Sequence, residues 1–213
     1  MGKMKLPNLL FPLFLGVAAA VPSAAEEPLA FKGVAIGASE EEVVKKYPRL
    51  SCGGEPARRM CVQASAEIQQ SKLLSACIRG GQSPAACRQE VNEALQLETV
   101  ASVPIRYMRF RFHDDKLGLI YLVTPAAEFN KVASAFLDRY GKPAKDEAWA
   151  FTPKGGKSLQ NREFQWLFPA GTLRVTRWSA QANDSSVLYL SHEGARAFAE
   201  QSSEDRKKAA SDL

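Results

Sequence analysis

Histidine is almost missing from this chain: His113 and His192 are the whole supply in 213 residues. No His-Glu-x-x-His run can therefore form, and the cysteines contain no Cys-x-x-Cys pair, so the common zinc and dithiol motifs are excluded. No serine sits in a Gly-x-Ser-x-Gly elbow. Gly155-Gly156-Lys157-Ser158 ends like a phosphate-binding loop, yet Phe151 stands where that motif needs its first glycine, so the stretch reads as a turn. No cofactor or metal is implied. Excess charge is also scarce. Once Lys3 and Lys5 are set aside with the leader described next, the formal balance falls from +5 to +3, which gives no reason to expect nucleic acid.

Long apolar runs are lacking too, apart from one at the start. Lys3 and Lys5, the apolar stretch Leu9 to Val21, and the small residues Ser23-Ala24-Ala25 before Glu26 have the order of a removable secretory signal over residues 1–25. Pro12 and Gly16 interrupt the apolar stretch, which is short beside the roughly 20 residues of a membrane-spanning helix. No cysteine at the cleavage point could accept a lipid, and no integral membrane segment is expected after signal removal. The expected location is periplasmic or secreted.

In an oxidising compartment Cys52, Cys61, Cys77 and Cys87 read as two disulfides. Three pairings are open, and the loops between the cysteines favour Cys52 with Cys61 and Cys77 with Cys87. The first would close over Gly53-Gly54-Glu55-Pro56. The second would flank Gly80-Gly81, which stops one helix, and Ser83-Pro84, which starts the next.

Residues 31–36 read as a strand, and Ser39 with Glu42 forms a capping box for a helix carrying Val43, Val44 and Tyr47 up to Pro48. Residues 64–98 read as a helical-hairpin insertion. Residues 105–112 alternate, and the Asp114-Asp115 turn returns them as a hairpin over 117–123. Thr124 and Pro125 then look like cap and first position of a helix whose stripe runs Phe129, Val132, Ala133, Phe136, Leu137 and Tyr140, ending at Gly141. Strands at 147–152, 162–168, 172–178 and 186–191 form a meander, and a short helix follows His192 to Ala199. The polar residues 201–213 are expected to be disordered. The predicted fold is α+β: residues 26–200 form a single domain with an antiparallel sheet, helices on one face, and the stapled hairpin inserted.

If Phe110, Phe164, Trp166 and Phe168 face the helices, the other side of the sheet carries Tyr107, Arg109, Arg111, Arg174 and Trp178. Arginine and tryptophan dominate many protein interfaces, and the guanidinium fork suits carboxylates, although the same pattern fits a solvated sheet face. The stretch Phe31-Lys32-Gly33-Val34-Ala35-Ile36-Gly37-Ala38-Ser39, followed by Glu41-Glu42-Val43, resembles the opening of small envelope proteins of Gram-negative bacteria, and is distantly similar to β-lactamase-inhibitor-like and BamE-like repeats. That resemblance implies two short helices against an antiparallel sheet, and action by protein contact without cofactors. The expected function is a non-catalytic binding or inhibitor-type module whose partner is another envelope or extracellular protein. The alternative is a small secreted hydrolase using His113 or His192 with a carboxylate, which requires the two histidines to meet in one cleft.

Overall fold

The computed structural model describes residues 28–63, 74–87, 98–152, 157–179 and 183–211. The signal segment 1–25, residues 64–73 and 88–97 of the helical insertion, and Gly155-Gly156 lie outside them. The first described elements form a tight ribbon, β1 (Ala30–Phe31) and β2 (Val34–Ala35), where a single strand is expected from the sequence. Lys32 and Gly33 turn it with φ of 46° and 84°, the left-handed pair of a two-residue hairpin. Helix α1 (Glu40–Lys46) follows with its capping box intact: the Ser39 hydroxyl accepts from the Glu42 amide, and the Glu42 carboxylate accepts from the Ser39 amide at 2.8 Å.

Strands β3 (Ser51–Gly53) and β4 (Met60–Gln63) form a ribbon joined by a 3₁₀ turn, Pro56–Arg58, and the Cys52–Cys61 disulfide crosses it at a Cα separation of 4.0 Å. Helices α2 and α3, described over 74–79 and 84–87, are joined by Cys77–Cys87. Each bridge closes a loop of about ten residues, worth roughly 2 to 3 kcal/mol in the chain-entropy account. A second small ribbon, β5 (Thr99–Val100) with β6 (Val103–Pro104), precedes the long hairpin of β7 (Tyr107–His113) and β8 (Lys116–Pro125). Thr124 does not cap the next helix. It stays in β8 opposite Ser185, fully buried, and a 3₁₀ turn at Ala126–Glu128 leads into α4 (Phe129–Tyr140).

The remaining strands are β9 (Lys145–Phe151), β10 (Leu159–Phe168), β11 (Gly171–Thr176) and β12 (Asp184–Ser191), and α5 runs from His192 to Ser211. Eight strands make one antiparallel sheet in the order β3-β4-β7-β8-β12-β11-β10-β9. The fold is α+β, as its alternating pattern predicts. Helices α1 and α4 share one face: Tyr47 lies 5.3 Å from Phe110, Phe129 stacks on Phe164 at 6.1 Å, and Phe136 sits 6.2 Å from Trp166. These rings, with Val43, Leu122, Leu173 and Val187, form one continuous core.

Helix α5 takes the other face. It lies against β8, β12 and β7, and Ser191 caps it by accepting from the Gly194 amide at 2.7 Å. It continues well past Ala199, through residues whose polarity alone predicts disorder, because Ala, Glu, Lys and Arg are strong helix formers. Gln201 also anchors it, accepting from Arg111 and donating to the Ala57 carbonyl at 3.3 Å. At the sheet's ends, β3 is three residues long, whereas β9 is seven, and Lys145–Ala150 are exposed on both faces.

Candidate functional site

Cross-strand register puts the residues of the sheet face opposite α1 and α4 in rows. One row runs Arg109, Tyr121, Leu188, Arg174, Gln165, Lys145 across β7, β8, β12, β11, β10 and β9. Arg109 and Arg174 are three strands apart, roughly 14 Å at ordinary strand spacing. The Arg109 guanidinium lies 5.1 Å from the centre of the Tyr121 ring, a cation–π contact that holds the charge flat on the sheet. A neighbouring row carries Arg111, Leu119, Leu190, Thr172 and Leu167, and the row on the other side runs from Tyr107 through Thr176 to Glu163 and Glu147. The Thr176 hydroxyl donates to Glu163 at 2.7 Å, so the face grades from cationic and apolar to acidic.

The sequence-derived face is thus brought together, with two amendments. Arg111 is not open: its guanidinium lies 4.0 Å from the centre of the Phe198 ring and donates to Gln201, so α5 occupies that corner. Trp178 lies just beyond β11, half-buried, and its indole N–H donates to the Gln160 carbonyl at 3.0 Å. Two apolar residues that sequence reasoning passed over sit at the uncovered end, Leu167 (63% exposed) and Trp149 (39%). Both lie on the face that alternation assigns away from the core, so period-two counting through β9 and β10 would have found them.

The histidines do share a cleft. His113, from the end of β7, and His192, from the start of α5, line one cleft of about 320 Å³ together with Ser191, Glu193, Lys116 and Arg196. His192 Nε2 is 3.3 Å from the Phe168 carbonyl, and His113 Nε2 is 3.5 Å from the Asp114 carboxylate. The Ser191 oxygen is taken up by the Gly194 amide, so its role there is to cap α5. Sequence could not pair the two histidines, since 79 residues separate them; only the meeting of β7 and α5 across β8 does so.

Among the described residues one cluster has ligand-like spacing, Glu40 with Cys52 and Cys61, but the two sulfurs are bonded to each other and Glu40 is held by Arg59. No family model, curated protein or solved structure matches the chain.

Proposed function

We propose that this protein is a non-catalytic binding module, exported to the periplasm or beyond it, which holds another envelope or extracellular protein on the uncovered part of its sheet face. The observation that carries this reading is the row from Arg109 to Arg174 beside exposed Leu167, with Trp149 farther along the same face opposite Asn161. Two guanidinium groups roughly 14 Å apart, with apolar side chains between and beside them, suit a partner strand or loop that presents carboxylates next to an apolar anchor. The uncovered face carries the proposal, so Arg111, under α5, is left out of it. The test is a photo-cross-linking residue at position 167, compared with the same chain carrying Arg109→Glu and Arg174→Glu. One protein cross-linked through position 167 and lost in the double variant is the expected result. An unchanged cross-link in the double variant would sink the sheet-face reading.

A second reading, a small secreted hydrolase, is favoured by the presence of His113, His192 and Glu193 in the lining of one cleft. It expects turnover of a small ester such as p-nitrophenyl acetate, reduced about 100-fold by His192→Ala or His113→Ala, the usual worth of a general acid or base. Turnover unaffected by both changes would remove it.

A further inference from the structure

A second cavity, away from both the sheet face and the histidines, lies between the two small ribbons and α4. It measures about 280 Å³, whereas a dry cavity of roughly 150 Å³ already accepts benzene. Its floor is aromatic: Tyr189 lies 6.2 Å from Phe31 and 6.5 Å from Phe136, ring centre to ring centre. Burial pushes the Tyr189 hydroxyl's pKa up, so it stays neutral there. The mouth is cationic. Lys32 comes from the turn of the first ribbon, and Arg139 from the last turn of α4.

The backbone at this mouth is held in an unusual way. Lys32 has φ of 46°, and Ala101 and Ser102, the turn of the second ribbon, have φ of 52° and 59°. Asparagine and glycine are the ordinary occupants of such turns, because a Cβ crowds the following carbonyl in the left-handed region. Here the crowded conformation is kept at two neighbouring turns, with Lys32 and Ala101 both lining the cavity. Strain of this kind collects where a ligand is clamped. Lys32 is also joined to Glu98, just before β5, at 2.8 Å, with both side chains more than a third exposed. A pair that open to water has little net strength, so an incoming carboxylate can exchange with Glu98.

We infer that this cavity is a binding site for a small amphipathic carboxylate, its anionic group between Lys32 and Arg139 and its apolar body on Phe31, Phe136 and Tyr189. The site has no part in either functional reading above.

The probes are 4-phenylbutyrate and its uncharged amide, titrated calorimetrically into the purified protein. The expected result is saturable binding of the acid, with the amide weaker by about tenfold. Arg139→Gln, at an exposed position outside the core, should weaken the acid by a similar factor and leave the amide unchanged. Ala135→Phe, which fills the cavity from α4, should abolish binding of both while circular dichroism reports a folded chain. The Arg109→Glu, Arg174→Glu variant should bind like the wild type. Absence of saturable heat with either probe at millimolar concentration, equal affinity for acid and amide, or undiminished binding of the acid by Arg139→Gln would each overturn the inference.

Discussion

The contacts of Glu40 show how one side chain can hold separate parts of the chain together. Its carboxylate takes a two-pronged fork from Arg59, at 2.7 and 2.8 Å, which ties the start of α1 to the disulfide ribbon of β3 and β4, while the Asp115 side chain accepts from the Glu40 amide at 3.2 Å. The Arg59 hydrogen bonds hold the Glu40 carboxyl below the usual carboxylate range, and the Ser39 backbone amide and hydroxyl do the same for Glu42. A carboxyl whose folded pKa is depressed stabilises the fold above its unfolded pKa, and that contribution is lost as pH falls through the folded value. Glu40→Gln should therefore lower stability at neutral pH by up to about 1 kcal/mol, the upper end for an ion pair open to solvent. The difference from wild type should shrink to nothing on acidification below the carboxylate range, which parallel urea melts at neutral and strongly acid pH would reveal. A constant difference across pH would mean that Glu40 acts through packing. The capping box was legible because both partners lie within four residues. The Arg59 fork was not, since it depends on where the β3–β4 ribbon folds back.

Among the elements, α5 depends on a pair of glycines. Gly118 is the extra residue where the β7–β8 register slips, and Gly194 lies in the first turn of α5; a Cβ on Gly194 would stand 2.7 Å from the Gly118 carbonyl oxygen and 2.8 Å from its Cα. The Gly118 backbone is fixed in the sheet, and the third neighbour, the Ser191 hydroxyl at 2.7 Å, is the group that caps α5, so neither yields without loss. Gly194→Ala should cost about 1 to 3 kcal/mol, the usual range for overpacking. It should also expose the α5 segment to protease near Phe198. Gly53→Ala, whose added carbon meets nothing within 4 Å, should stay within about 0.5 kcal/mol of wild type. Equal behaviour of the two variants would show that α5 is not seated through this contact. Strand and helix periods in the sequence located β7 to β12 and α4 because each repeats over six residues or more. The two-residue ribbons are too short to show a period. The extent and seat of α5 depend on Gly118 and Gly194, whose closeness in space leaves no local pattern.

For the whole molecule, alternation foretold an antiparallel sheet with α1 and α4 on one face, and the arginines and rings on the other. It could not foretell that the last helix would cross back over that second face, because this is decided by the bulge in β7–β8 and by Phe198 settling beside Arg111. The placing of His113 and His192 in one cleft has the same origin. The two ends of the sheet also differ, and this limits how copies could join. Unpaired backbone at a sheet edge can recruit another strand, and short edges resist this. At the β9 end six of seven residues stand exposed on both faces, whereas β3 offers three in all. A sheet with one receptive end has a ceiling on growth: two copies meeting at β9 would leave only their β3 ends outward, and the assembly would close as a pair instead of extending into a fibre.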